Sequence, residues 1–227
     1  NIQAQPKIDF SKWGEIETKP LTKIQKITGD RLQQSWQTIP HVTQFDEADI
    51  SILNTKREKL KIEGQKKNIK VTFLPFIMKA VIKTLKEFPS FNSSLDHQGK
   101  NLVIKNYYNL GIAVDTPTGL IVPVIKNVDK KSINTLSKEL MGISERARLE
   151  KLKPGELKGG SFTISSLGGI GGTYFTPIIN PPEVAIMGVS KSVWKPIYNH
   201  KSKEIIPTYT MPFSLSYDHR VIDGALG

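Results

Sequence analysis

The sequence contains no cysteine, which excludes disulfide bonds, thiolate metal ligands and a cysteine nucleophile, and which fits a reducing compartment. Long hydrophobic runs are also lacking. No stretch approaches the roughly 18 apolar residues that a membrane span needs, and Pro75 and Pro123 interrupt the most apolar segments. Histidine is scarce: His41, His97 and His200 stand singly, without a second ligand at helical or turn spacing, so we expect no metal site.

The amino terminus has neither an initiating methionine nor the pattern of a secretory signal peptide. We therefore expect the chain to be a piece of a longer protein. Its 227 residues, 38% of them hydrophobic, suffice for a sizeable core in one domain or two. We divide it into an extended arm or linker over residues 1–20 and a folded domain over residues 21–227. In the arm, Phe10 and Trp13 would hold the segment against the body.

The charge balance is basic, with 32 Lys and Arg against 21 Asp and Glu and a net charge of +11. Such a balance favours an anionic partner, which could be nucleic acid, a phosphate-bearing cofactor or an acidic protein face. The basic residues are mostly scattered, with short pairs at Lys66-Lys67 and Lys130-Lys131, and no nucleic-acid-binding module is recognisable. A solvated basic surface is the simpler interpretation, and no nucleic-acid partner is expected.

Hydrophobic periodicity predicts four helices and a larger number of strands. The first helix should start near Leu21, capped by Thr18 or Thr22, and should end before Pro40. The other helices are expected from Asp49 to Gly64, from Thr72 to the residue before Pro89, and from Ser132 to Pro154-Gly155. Strands are expected at His41–Asp46, Leu102–Ile104, Leu110–Val114, Leu120–Ile125, Ser161–Ser165, Glu183–Val189, Ser192–Tyr198 and Ile205–Tyr217. This mixed order predicts an α+β fold, a mixed α/β sandwich with helices packed on a largely mixed sheet.

A glycine-rich passage, Gly168–Gly172, could suggest nucleotide binding. It lacks the Lys-Ser or Lys-Thr of a P-loop, and Tyr174 stands where a dinucleotide fingerprint has its third small residue. We therefore interpret it as a turn in which the backbone passes close to other backbone or to a ligand.

The segment Ser214–Gly224 combines a predicted strand with titratable residues. Ser214 to Tyr217 alternate polar and apolar residues, and Asp218-His219-Arg220 follow directly. Imidazole exchanges a proton near neutral pH, and Asp223 follows His219 by four positions. The alternative is a strand end followed by an ordinary Asp-Gly turn.

Two motifs taken together favour a functional site over an ordinary turn in this segment. Phe162-Thr163-Ile164-Ser165-Ser166-Leu167-Gly168 and Asp218-His219-Arg220-x-x-Asp223-Gly224 resemble the catalytic domain of the dihydrolipoamide acyltransferases, the core subunits of 2-oxo acid dehydrogenase complexes. The resemblance extends from about Lys19 to the end of the chain. Further shared segments, in the family's order, are 38–43, 91–94, 111–120, 122–125 and 182–189. Residues 40–45 are most similar to the pyruvate branch in its bacterial form, and the succinyl branch is the nearest alternative.

The resemblance implies a fold similar to chloramphenicol acetyltransferase, with three subunits around a threefold axis and each active site at a subunit boundary. It implies transfer of an acetyl group between coenzyme A and the dihydrolipoyl thiol of a lipoyl domain upstream in the protein, without a metal. The trimers would assemble into a larger core, expected to be a cubic 24-mer. The core's partners would be lipoyl domains, pyruvate decarboxylase and dihydrolipoamide dehydrogenase. A bacterial member would be cytoplasmic, and a eukaryotic one would lie in the mitochondrial matrix.

The same resemblance assigns roles to individual residues. His219 would be the general base for the attacking thiol, and Ser165, from a different subunit, would donate a hydrogen bond to the oxyanion. Asp223 stands where the family has Asp or Asn and is expected to support the loop around His219. Chloramphenicol acetyltransferase pairs its corresponding Asp with an Arg near the chain start, and Arg31 is our candidate for that role. The sequence does not identify the residues that bind coenzyme A.

Other interpretations stay open at this stage. A succinyl- or branched-chain-specific member of the family and a small-molecule acetyltransferase of the chloramphenicol type would share the His and the Ser. A scaffold without activity is disfavoured because His219, Ser165 and Asp223 are all present. Members of the family normally continue past the Asp-Gly into a terminal helix, which is absent from this chain, so the chain is expected to be a fragment of the core domain.

Overall fold

A computed structural model describes residues 7–227, and residues 1–6 of the predicted arm lie outside the described part. Four α-helices are α1 (Lys23–Thr38), α2 (Ser51–Gln65), α3 (Leu74–Glu87) and α4 (Ile133–Arg148). The strands are β1 (His41–Asp49), β2 (Ser93–Leu95), β3 (Leu102–Ile104), β4 (Leu110–Ile112), β5 (Val114–Thr116), β6 (Gly119–Ile121), β7 (Val124–Ile125), β8 (Phe162–Ser166), β9 (Ala185–Val189), β10 (Val193–Asn199) and β11 (Glu204–Asp218). Short 3-10 helices occupy Phe10–Lys12, Pro89–Asn92, Val128–Lys130 and Pro154–Leu157. None of the helices in the described part is long and apolar enough to cross a membrane.

The main sheet has seven strands, in the order β1-β11-β9-β8-β4-β7, with β10 paired to the far half of β11. Strand β8 is parallel to both β9 and β4, whereas the other pairs are antiparallel. Two small hairpins, β2–β3 and β5–β6, stand apart from it. The predicted α+β fold with a mixed sheet is therefore confirmed.

Side-chain caps decide where two of the helices begin. Thr22 Oγ1 accepts a hydrogen bond from the Gln25 amide at 3.1 Å, and Gln25 Oε1 accepts one from the Thr22 amide, so Thr22 rather than Thr18 is the cap. Ser132 caps α4 as predicted, by accepting from the Thr135 amide at 3.2 Å. These two starts follow from local chemistry that is visible in the sequence.

The other boundaries differ from the prediction by a few residues. Helix α3 begins after Phe73 rather than at Thr72, because Thr72 forms no cap there. Helix α2 starts at Ser51, whose amide donates to the carboxylate of Asp49 at 2.9 Å. The predicted strands 110–114 and 120–125 are each divided in two, since β5 and β6 leave the main sheet and form a hairpin of their own.

One face of the sheet carries the hydrophobic core. The buried side chains of α3 and α4 pack there with those of the central strands, and the cluster includes Met78, Ile82, Leu136, Ile143, Leu110, Ile164 and Tyr217. The apolar stripe predicted for α3 lies in this core, since Met78 is fully buried. Burial of this kind supplies most of the free energy that keeps the helices on the sheet.

The opposite face of the sheet is lined by small and polar side chains. Thr163, Ser214 and Ser216 are buried there beneath the segment 173–182. Helix α1 is tied to this segment, because Ser35 Oγ donates to the Ile179 carbonyl at 2.7 Å. His41 accepts a hydrogen bond from the Ile179 amide through Nε2 at 3.0 Å, so this histidine has a structural role.

The arm and α1 expose apolar side chains to solvent in the single chain. Phe10 is 59% and Trp13 74% exposed, and their ring centroids lie 6.1 Å apart. Within the single chain these two side chains contact each other and stay largely exposed, so the expectation that they hold the arm against a folded body stays a prediction. On α1, Ile27 and Trp36 also face outward.

Candidate active site

Ser165 lies near the carboxyl end of β8, on the polar face of the sheet. It pairs with Gly188 of β9, which in turn pairs with Ser214 of β11, so the three residues form a row across the sheet. A side chain at position 188 would collide with the ring of Phe175 at 2.7 Å, and the ring therefore rests directly on bare backbone. Ser165 is half-buried beside this ring.

His219 follows the last residue of β11. Its amide donates to the Pro40 carbonyl at 3.0 Å, and the Asp218 amide donates to the Val184 carbonyl at 2.8 Å. These two bonds fix the backbone on both sides of the strand end. The His219 side chain itself is exposed, with its ring centroid 6.2 Å from that of Tyr217.

The sheet register separates these two residues within one chain. Ser165 lies in the row of Ser214, and His219 is five positions further along the chain, just past the end of β11. At roughly 3.3 Å per residue this is about 16 Å along the strand, in addition to the width of two strands. The single chain therefore contains a serine end and a histidine end of the sheet, and it does not bring the two side chains together.

An ion pair next to His219 was missed by sequence reasoning. Arg220 Nε donates to Asp218 Oδ1 at 2.9 Å, and Arg220 Nη2 donates to Asp218 Oδ2 at 2.6 Å. Asp218 is almost completely buried, and its hydrogen bonds raise the pKa of Arg220. The Asp-x-Arg spacing in a tight turn is the signal that could have indicated this pair. It rigidifies the turn on which His219 lies.

Asp223 closes the turn that follows His219. Its carboxylate accepts from the Leu226 amide at 2.8 Å, and its carbonyl accepts from the Gly227 amide at 2.9 Å. Arg31 is exposed on α1 and forms no ion pair with Asp223 among residues 7–227 of the single chain. The Arg31–Asp223 pair therefore stays a prediction that concerns assembled copies.

A cavity of about 890 Å³ opens at the serine end. Gly168 and Gly169 of the glycine-rich passage line it together with Ser166 of β8, so that passage does approach a possible ligand site. Its basic lining residues are Arg57, Lys61, Lys70 and Lys191. The Arg57 guanidinium lies 4.4 Å from the ring centroid of Phe73, which orients it at the wall. Such a lining suits an elongated ligand that carries negative charge at one end.

Within residues 7–227, no group of three or more His, Asp or Glu side chains is placed to hold a metal ion. A smaller cavity of about 370 Å³ lies at the histidine end and is lined by His97, Glu183, Asp218 and Arg220 among others. The two ends thus differ in charge as well as in position.

Comparison with known proteins identifies the family. A model of the 2-oxoacid dehydrogenases acyltransferase catalytic domain matches residues 14–227. The chain belongs to this acyltransferase family. It is 56% identical over 220 residues to the dihydrolipoyllysine-residue acetyltransferase component of the pyruvate dehydrogenase complex from Cupriavidus necator, covering 97% of this chain and 39% of that protein. Its identity to the corresponding Haemophilus influenzae protein is 55% over 224 residues, which cover 98% of this chain and 39% of that one. The chain therefore spans about two fifths of these relatives.

Solved structures agree with this membership. Two structures, that of Azotobacter vinelandii dihydrolipoamide acetyltransferase and that of the cubic core of a pyruvate dehydrogenase complex, each superpose with a TM-score of 0.96 at 50% identity, covering 99% of this chain and 92% of theirs. A chloramphenicol acetyltransferase superposes with a TM-score of 0.56 at 13% identity over 87% of this chain and 88% of its own. The acyltransferase family therefore shares its fold with chloramphenicol acetyltransferase, as the sequence motifs predicted.

Proposed function

We propose that this chain is the catalytic domain of a dihydrolipoyllysine-residue acetyltransferase, which moves an acetyl group between coenzyme A and the dihydrolipoyl group of a lipoyl domain. The relatives that are more than half identical to it carry that name. The division into an arm over residues 1–20 and a catalytic domain over residues 21–227 is part of the proposal.

The placement of Ser165 and His219 at opposite ends of one sheet is the observation that carries this proposal. Two groups that cannot meet within a chain can meet across a boundary between copies. A cyclic trimer satisfies this geometry, because each boundary joins the serine end of one copy to the histidine end of the next. Arg31 would meet Asp223 at the same boundary.

His219 acts as the general base. A thiol with a pKa of about 8.5 is only a few per cent ionised at neutral pH, so a base is needed to produce the thiolate. One ring nitrogen of His219 takes the proton of the attacking thiol, and the new thiolate sulfur bonds to the thioester carbonyl carbon. When the tetrahedral intermediate collapses, the original carbon–sulfur bond breaks and the proton returns to the leaving sulfur. The Asp218–Arg220 pair and Asp223 hold the turn that carries the ring.

Ser165 stabilises the intermediate. Its hydroxyl donates to the oxygen that becomes negatively charged as the thiolate adds, and a donor that is already in position costs little reorganisation. The Azotobacter vinelandii structure was solved to define the roles of a serine, a histidine and an asparagine in catalysis, the latter two being four positions apart. His219 and Asp223 have the same spacing here.

Coenzyme A would occupy the cavity at the serine end. Its phosphates match the side chains of Arg57, Lys61, Lys70 and Lys191, which line that cavity. The pantetheine arm would then extend past Ser166 towards Ser165. The dihydrolipoyl arm would enter from the histidine end, so that the two sulfur atoms meet at the boundary between copies.

The proposal extends to the assembly. The trimers would build a cubic 24-mer in a bacterial cytoplasm, bound by lipoyl domains and by pyruvate decarboxylase and dihydrolipoamide dehydrogenase subunits. We propose acetyl rather than a succinyl or branched acyl group as the group transferred, because relatives that are more than half identical to the chain are named as components of pyruvate dehydrogenase complexes.

A complementation experiment tests the proposed site. Each of the variants His219→Ala and Ser165→Ala should be nearly inactive alone in acetyl transfer from acetyl-CoA to free dihydrolipoamide. When the two are unfolded and reassembled together in equal amounts, about a quarter of the boundaries should regain both wild-type residues, and activity should return to about that fraction. Mixed assemblies that stay inactive would contradict a site shared between copies. Succinyl-CoA, branched acyl-CoA and chloramphenicol, used as alternative substrates, test the specificity.

A further inference from the structure

A buried polar cluster between the two ends of the sheet has no part in the reaction described above. Glu183 is only 4% exposed, and its carboxylate accepts a hydrogen bond from Thr163 Oγ1 at 2.6 Å. Lys105 is 8% exposed, and it donates from Nζ to the Ser93 carbonyl at 3.1 Å. Glu183 and Lys105 attract each other across the cluster. A carboxyl group is buried in this way only when its partners compensate for the hydrogen bonds to water that it loses on burial.

Backbone packs closely against this carboxyl group. A side chain at Gly160 would lie 2.7 Å from Glu183 Oε1, so the chain passes directly against the acid. On the other side, the carbonyl of Pro182 accepts a hydrogen bond from Ser94 Oγ. The carboxyl group is thus packed against the backbone at Gly160, and the residue before Glu183 is held by a hydrogen bond.

Glu183 is connected to both halves of the proposed site. Thr163 precedes Ser165 by two positions in β8, so the two side chains lie on the same face of that strand. Val184, the next residue after Glu183, accepts the amide of Asp218 through its carbonyl at 2.8 Å. A single dipeptide thus contacts the strand that carries the serine and the strand that ends at the histidine.

We propose that Glu183 is a positioning residue for acyl transfer, which fixes the placement of Ser165 through Thr163 and the placement of the His219 turn through Val184. This inference rests on the proposed function. In this role Glu183 acts through the two strands that it joins and not on the reacting atoms. Loss of its charge should therefore affect turnover more than substrate binding.

The charged environment of Glu183 makes this role dependent on pH. The titratable and charged side chains around it, from all elements packed against it, are Lys105, Asp96, His97, Asp218 and Arg220. Burial raises the pKa of Glu183 to about 7, and the hydrogen bond from Thr163 and the charge of Lys105 oppose that rise. The ionised acid accepts from Thr163 and balances Lys105, whereas the neutral acid leaves the Lys105 charge without compensation. The positioned state is thus the ionised one.

The test compares Glu183→Gln and Thr163→Val with Glu145→Gln, a matched control that changes the same charge at an exposed position of α4. Each full-length variant is assembled with its own copies and assayed with acetyl-CoA and dihydrolipoamide from pH 5.5 to 8.5. Glu183→Gln should lower kcat about tenfold, since a misplacement of about 1 Å can cost about a hundredfold, with each KM within about twofold of wild type. It should also flatten the pH profile, because the increase in kcat that comes from ionisation of Glu183 should be lost. The control should match wild type.

A kcat and pH profile of Glu183→Gln equal to those of the control would overturn the inference, as would a loss of activity that only follows a loss of assembled protein. If Glu183→Gln does not fold, Thr163→Val decides, because it keeps the acid and removes only the hydroxyl that links it to β8. An unchanged kcat in that variant would overturn the inference, and a reduced kcat at constant KM would support it. Failure of the proposed function is distinct, since wild type would then transfer no acetyl group.

Discussion

The serine end and the histidine end of the sheet are built in different ways. At the serine end, a glycine-rich passage and four cationic side chains surround a large open cavity. At the histidine end, short hydrogen bonds within one turn, above all those between Arg220 and Asp218, fix the backbone. The first arrangement suits the capture of a long charged substrate, and the second suits the exact placement of one ring. Each chain carries both, so under the proposed function a complete site would combine the binding half of one copy with the chemical half of another.

The largest expected effects come from removing the proposed catalytic side chain at each end of the sheet. His219→Ala should lower kcat by about 10²–10⁴-fold, as the loss of a positioned base does. Ser165→Ala should lower kcat by about 10²–10³-fold, because one oxyanion donor is lost. Steady-state kinetics with acetyl-CoA and dihydrolipoamide measure both losses. A variant that kept most of the wild-type kcat would contradict the role assigned to its end of the sheet.

The next effect concerns Glu183, which lies between the two ends. Its pKa is about 7 in the folded protein, against an ordinary value of 4.5. Below pH 4.5 the acid is neutral in both states. As pH rises to about 7, the unfolded chain ionises first, so the unfolding free energy should fall by up to about 3 kcal/mol and then level off. Urea unfolding of wild type and Glu183→Gln across this pH window measures the difference. A constant difference between them would contradict the burial argument.

A smaller effect is expected at the histidine end alone. Arg220→Ala leaves the buried carboxylate of Asp218 without its main partner, which should lower the free energy of unfolding by about 2 kcal/mol. The half-exposed position of Arg220 keeps this below the cost of breaking a fully buried pair. The KM for coenzyme A should not change, because the cavity lies at the other end. Denaturant titration and kinetics together test this separation.

The smallest effect is expected at the serine end. Lys191→Ala should raise the KM for coenzyme A about threefold, since an exposed charge at the cavity contributes about 0.5–1 kcal/mol. The KM for dihydrolipoamide should stay constant. Lys138→Ala, an exposed lysine of α4 outside the cavity, is the control. Equal rises for both substrates would show that the two ends are not separate binding halves.

The parts of this design that depend on neighbours in sequence were predictable. Thr22 and Ser132 cap helices through residues three positions away. The catalytic role of His219 stays a prediction from its motif. The Glu183 cluster was not predicted, because its central hydrogen bond, between Thr163 and Glu183, joins residues 20 positions apart. The separation of Ser165 from His219 depends on strand register, which side-chain alternation alone does not supply.

Gly188, which pairs with Ser165 in the sheet, is constrained by close packing. Because the Ser214 hydroxyl and the Phe175 ring both lie against its backbone, with no room for even a methyl group, the identity of this residue is dictated by its packing neighbours rather than by any substrate. A library of substitutions should tolerate nothing but glycine at 188, although the residue has no chemistry of its own. Intolerance of substitution at 188 would then reflect the close packing next to Ser165, with which Gly188 is paired.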